Sequence, residues 1–180
     1  MKARQHAAKK DVLTLLSGGD RRSIGRVAGA VTMVLSRPVL FRRLVEAMRH
    51  EDPVVRMRAA DAAEKVSSQK PALLQLFKSE LLRLLAEAKQ QELRWHLAQM
   101  IPRLSLTARE RARAATLLRT YLNDSSSIVK TLAMQGLADL ASADYDLLPA
   151  TIQLLVRLTR DGTPAMRARG RKLLARFARQ

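Results

Sequence analysis

The chain repeats itself, and the period of the repetition restricts what it can fold into. Val55 followed by Arg56 recurs as Leu93-Arg94, Val129-Lys130 and Met166-Arg167, with a weaker copy at Ile24-Gly25. Successive anchors lie 31, 38, 36 and 37 residues apart. Four residues beyond each anchor stands a small or apolar residue (Ala28, Ala59, Leu97, Ala133, Gly170), and eleven beyond stands a large apolar one (Leu35, Val66, Leu104, Leu140, Phe177). Offsets of four and eleven return to one side of a helix with 3.6 residues per turn. A unit of this length, apolar on one helical face, buries that face against its neighbour copy, which predicts stacked helix pairs without a closed central core.

The copies carry helix-start chemistry. In His50-Glu51-Asp52-Pro53-Val54-Val55-Arg56 the carboxylate of Asp52 is placed to cap a helix beginning at Pro53, whose missing amide hydrogen falls where a helix has no internal partner. Val55, Ala59, Ala62, Ala63 and Val66 follow at helical spacing. Related turns are Asp161-Gly162-Thr163-Pro164-Ala165-Met166-Arg167 and, without proline, Asp124-Ser125-Ser126-Ser127-Ile128-Val129-Lys130. The copy Gln90-Gln91-Glu92-Leu93-Arg94 lacks both Asp and Pro, and the first copy lacks the base.

At these residues the chain resembles the HEAT-repeat family, whose signature is an Asp-rich turn, a Pro, an apolar residue followed by Arg, and an alanine-rich second helix. Related families of shorter two-helix repeats fit the period as well. The resemblance covers nearly the whole chain. It implies an all-α fold, a right-handed α-α superhelix (solenoid) of about five antiparallel HEAT-like helix pairs, and it is specific for architecture, not for function. On this reading residues 1–10, with four bases, form a mobile basic arm, and 11–180 form a single HEAT-like repeat domain.

Along the chain, a short helix is expected at Asp11 to Leu16, a turn at Ser17-Gly18-Gly19-Asp20, and a helix from Arg21 to Leu35. Pairs then follow at 38–48 and 53–67, at 71 onward and 91–104, at 108–122 and 126–141, and at 146–159 and 164 to the end. Thr107-Ala108-Arg109-Glu110 has capping-box spacing, and Pro102 is expected to end or kink its helix.

The formal charge of +17 over 180 residues, with a pI near 11.5, attracts polyanions first. Nucleic acid, an acidic protein surface and an anionic membrane all fit that field. Aromatics amount to only 3%, so the expected core is aliphatic. The chain has no cysteine, which excludes disulfides and thiol chemistry, and His6, His50 and His96 fall in different repeats, so no metal site is expected. No apolar run approaches the length of a membrane span and no signal peptide is recognisable, so a cytoplasmic location is expected. Gly18-Gly19 lacks the lysine and hydroxyl residue of a nucleotide loop and reads as a turn, so no cofactor or small-molecule substrate is expected.

Two sets of side chains invite a functional reading. The bases after the anchors, Arg56, Arg94, Lys130 and Arg167, correspond by the resemblance to residues at the seams between repeats. With Asp52, Asp124 and Asp161 they read chiefly as a structural ladder, and Arg94, whose own turn lacks an Asp, is expected to matter less than Arg56. The second set lies three, six and ten residues beyond each anchor: Arg58, Asp61, Lys65; His96, Gln99, Arg103; Leu132, Gln135, Asp139; Arg169, Lys172, Arg176. In the implied superhelix this row lines the concave side. Arg58, Lys65, Trp95, His96, Arg103, Arg169, Lys172 and Arg176 are therefore candidates for binding a polyanion, the alternative being an ordinary solvated face.

The last helix has six bases after Pro164 and no acid. That reads either as a polyanion site or as a polar cap on the open end of the array. Trp95 also brings in the HEAT-like DNA glycosylases that repair alkylated bases, but the acid their chemistry needs one turn further on is Gln99 here. The sequence thus favours a non-enzymatic scaffold for nucleic acid or an acidic protein, with a repair-type enzyme as the alternative.

Overall fold

The structure, a computed structural model, describes residues 12–18 and 25–179. The basic arm, the anchor Ile24 and most of the Gly-Gly turn lie outside the described residues. Helix α1 covers 12–16 and is followed by α2 (Val27–Ser36), α3 (Phe41–Ala47), α4 (Pro53–Gln69), α5 (Lys78–Glu87), α6 (Gln91–Met100), α7 (Ala108–Tyr121), α8 (Ser127–Ala141), α9 (Leu148–Asp161) and α10 (Pro164–Phe177). Short 3-10 turns occupy Pro38–Leu40, Pro71–Phe77 and Ile101–Arg103. Among the described residues there is no strand, and the fold is all-α.

The caps explain where several helices start. Asp52 accepts the amide of Val54 at 2.8 Å with Pro53 in the first turn, Ser126 accepts from Val129, and Thr163 accepts from Met166. Thr107 and Glu110 form the reciprocal capping box. Gln90, heading the copy without Asp or Pro, makes no side-chain cap. Of two proline effects, the one at Pro71 differs from the sequence reading and the one at Pro102 agrees with it. The chain after Pro71 forms a 3-10 turn through Phe77 before α5 begins, and Pro102 ends α6 at Met100, so Arg103 falls in the 3-10 turn beyond it.

Contacts divide the chain into two compact units, residues 1–81 and 82–180. In the first, α4 packs against α2 and α3. In the second, α8 lies between α6 and α10, while α7 packs against α8 and α9 against α10. Met134, Ala138, Leu155, Met166 and Leu173 form a buried cluster there, closed by the half-buried Leu122, Leu158, Leu174 and Phe177. Gly136 permits a close approach of α6 and α8: a Cβ there would meet the Ala98 carbonyl oxygen at 2.6 Å and a Leu118 methyl at 3.0 Å.

The repeat positions are buried where the period places them. Val55, Leu93, Val129 and Met166 are buried, as are Ala59, Leu97, Ala133 and Gly170. Val66, Leu104 and Leu140 are buried and Phe177 half-buried. The first copy departs from this register: Ala28 is exposed, and Val27, Ala30 and Val34 carry the buried stripe. Gly25, in the left-handed region at φ 55°, stands just before α2 and resets its start.

Candidate polyanion-binding surface

Helix α10 enters from its Thr163 cap and buries Met166, Gly170 and Leu173. Burial of that stripe turns the other side outward. Of its bases, Arg169 and Arg176 lean onto α8. Arg169 donates to Gln135 Oε1 at 2.8 Å, Gln135 donates to Asp139 Oδ1 at 2.8 Å, and Arg176 donates to the same oxygen at 2.7 Å. Arg176 also reaches Ser142 at 3.3 Å, with its guanidinium 5.2 Å from the Phe177 ring centre. These four side chains form a charge-assisted chain that fixes α10 on α8.

The remaining bases of the helix, Arg167, Arg171 and Lys172, and Arg179 just beyond its end, are exposed, and their side chains form no hydrogen bond or ion pair among the described residues. Arg167 and Arg171 stand four apart, so their like charges repel at helix-neighbour spacing. This end of the second unit thus holds cations that form no ion pair among the described residues.

The other candidates are placed differently. Arg58 is 1% exposed and donates to the carbonyls of Leu16 and Gly18, beside Gly25. It belongs to the core: without a Cβ at Gly25 there is room for the guanidinium, which satisfies the carbonyls at the end of α1. The expectation that it faces a ligand is corrected. Lys65 pairs with Asp61 at 2.8 Å along α4, its side chain 45% exposed. Trp95 and His96 are half-buried, edge to face at 5.7 Å, and the Gln99 amide donates to the Trp95 carbonyl. Arg103 is half-buried in its 3-10 turn, not on the row of α6. The structure thus gathers Arg169 and Arg176 with Gln135 and Asp139, and leaves Lys172 exposed beside them on α10.

The ladder is also only partly as expected. Arg94 pairs with Asp124, the aspartate of the next turn, at 2.5 Å, donates to the Ala88 carbonyl at 2.8 Å, and lies 5.2 Å from the Tyr121 ring centre. Asp124 is nearly sealed, its side chain 3% exposed, and its other oxygen accepts the Ser126 amide. Arg56 instead donates to the carbonyls of His50 and Glu51, while the Asp52 carboxylate is used as a cap and the His50 ring accepts the Asp52 amide. Lys130 and Arg167 form no side-chain hydrogen bond or ion pair among the described residues, and Asp161 is held by Arg160. Arg94, whose own turn lacks an Asp, thus draws its acid from the following turn, a pairing that the expected rank of Arg94 below Arg56 left out.

Sequence reasoning missed a second seam. Arg111 pairs with Asp144 at 2.8 Å and donates to the Leu106 carbonyl, tying the start of α7 to the turn before α9. The Arg111 hydrogen bond, ahead of the Asp146 amide, holds the Asp144 carboxyl below its ordinary range. The signal was an Arg and an Asp 33 residues apart, within the 31–38-residue range of the anchor spacings but offset from the anchors. Among the described residues no group of three or more His, Asp or Glu is disposed to hold a metal ion, and no helix is long and apolar enough to cross a membrane. Neither protein-family models nor curated proteins give a match to the chain.

Proposed function

We propose that the chain is a non-enzymatic scaffold of HEAT-like helix pairs, stacked as a solenoid, that binds nucleic acid through its phosphates. The observation that carries this reading is the set of four exposed bases on and just beyond α10, a helix without an acidic side chain and held in place by the Arg169–Gln135–Asp139–Arg176 chain. Anchored arginines beside free cations suit backbone tracking, since phosphate contacts position a polyanion without reading its bases. Little sequence preference follows. A cytoplasmic site of action fits the absence of cysteine and belongs to the same proposal.

The repair-enzyme alternative has weaker support. Beside Trp95 the structure offers the Gln99 amide, already donating to the Trp95 carbonyl, where a carboxylate would be needed to stabilise a developing cation.

The test compares charge reversals of equal size. Arg171→Glu, Lys172→Glu and Arg179→Glu together should weaken binding of a labelled 20-nucleotide duplex by tenfold or more at about 100 mM salt. Arg37→Glu, Arg109→Glu and Arg113→Glu, changes at exposed bases elsewhere, should cost far less. Equal losses would mean a diffuse field without a site, and the proposal would fail.

A further inference from the structure

A second surface lies on the first-helix layer of the 82–180 unit. Helices α7 and α9 both pack on α8 but scarcely touch each other, which leaves an open trough of about 580 Å³ between the end of α7 and the middle of α9. Its floor is aliphatic: Leu122, Leu154 and Leu158. Leu122 and Leu158 are half-buried because their inner sides close the Met134–Leu155–Leu173 cluster while their outer sides face the trough. Arg119 stands on the α7 side and Arg157 on the α9 side, with the amides of Asn123 and Gln153 completing the rim.

No acid lines the trough. The Arg119 side chain is exposed and forms no hydrogen bond or ion pair among the described residues. Arg157 interacts electrostatically with Asp161, one turn further along α9, but Asp161 is already gripped by Arg160 through hydrogen bonds of 2.8 and 2.9 Å. The trough therefore combines an unfilled apolar floor with two cations that lack committed counter-charges. Each half selects against a different occupant. Phosphates gain nothing from three leucines, and the floor offers no aromatic ring on which a base could stack. A purely apolar segment would leave the guanidiniums unused.

We propose that this trough docks an acidic, leucine-bearing helical segment of a partner protein, its apolar side chains on Leu122, Leu154 and Leu158 and its carboxylates on Arg119 and Arg157. An amphipathic helix supplies apolar residues at three- and four-residue spacing with acids flanking them, and carboxylates meet Arg in forked pairs. The inference goes beyond nucleic-acid binding and uses none of the α10 bases.

The experiment uses the full chain and a fluorescein-labelled amphipathic peptide with leucines on one face and glutamates beside them. Fluorescence anisotropy should show saturable binding to the wild type. The pair Arg119→Ser and Arg157→Ser should weaken it tenfold or more, and Gln153→Trp, which fills the trough from an exposed position, should do the same. The α10 triple reversal should leave peptide affinity within about threefold, so failure of the trough and failure of the nucleic-acid surface are separable. The proposal is overturned if the peptide does not bind. It is equally overturned if both trough variants bind it as the wild type does, or if a lysine-for-glutamate peptide binds equally well. Competition by a 20-nucleotide DNA that the trough variants abolish would assign the trough to nucleic acid instead.

Discussion

Replacing Arg94 by alanine tests the Arg94–Asp124 ladder pair. The change strands the Asp124 carboxylate, 3% exposed, with the Ser126 amide as its remaining donor, and removes the bond to the Ala88 carbonyl. Breaking a buried ion pair from one side costs about 3–5 kcal/mol. The Arg94 side chain is 28% exposed, so water partly screens the pair, and a loss of about 2–3 kcal/mol is expected. Arg56→Ala removes bonds to the His50 and Glu51 carbonyls, which water can replace, at about 1–2 kcal/mol. In thermal melts the Arg94 variant should lose about 5–10 °C. Trp95, on the same helix and the chain's only tryptophan, provides a local fluorescence signal. Adding Asp124→Asn should recover part of the loss, because a neutral amide still accepts from Ser126 without an unpaired charge. Equal losses at 56 and 94, or a double variant no better than the single one, would refute the argument.

Arg58→Ala should destabilise the first unit by about 3 kcal/mol, because it empties a fully buried side chain and strands the Leu16 and Gly18 carbonyls; hydrogen exchange should accelerate first at 12–16. Gly136→Ala should cost about 1–3 kcal/mol in urea denaturation by pushing α8 off the Ala98 carbonyl, whereas the same change at the open Gly29 should cost little. Burial foremost raises the Tyr121 phenol above its ordinary value of 10, with Arg94 opposing and Asp124 adding to the rise. The neutral phenol, bonded to the Leu85 carbonyl, therefore contributes stability that is complete below pH 10 and declines above it. The wild type's stability advantage over Tyr121→Phe should shrink between pH 10 and pH 12, and a constant difference would contradict the assignment.

The helices and their starts were largely legible in the sequence, because caps and prolines act locally. Asp52-Pro53 and the Thr107–Glu110 box need only their own neighbours to fix a helix start. The buried stripes at Val55, Leu93, Val129 and Met166 followed from the period for the same reason. What sequence reasoning missed depends on contacts a whole repeat away. Arg58 shares the offset of Arg169 from its anchor, yet Gly25 and the end of α1 draw it inside. Arg94 looked unpaired because its acid lies 30 residues on, and Arg169 and Arg176 looked free until α8 supplied Gln135 and Asp139. The exposed bases of α10 were visible as charge, but which of them form no ion pair among the described residues is a property of packing.

The salt dependence of nucleic-acid binding tests the central claim most directly. If Arg167, Arg171, Lys172 and Arg179 each neutralise one phosphate, the logarithm of the association constant for duplex DNA should fall against that of salt with a slope of about −3.6. In the Arg171→Glu, Lys172→Glu, Arg179→Glu variant the slope should flatten to about −1 as those contacts disappear. A wild-type slope near zero, or one that the variant leaves unchanged, would contradict the claim that α10 is the phosphate-binding site.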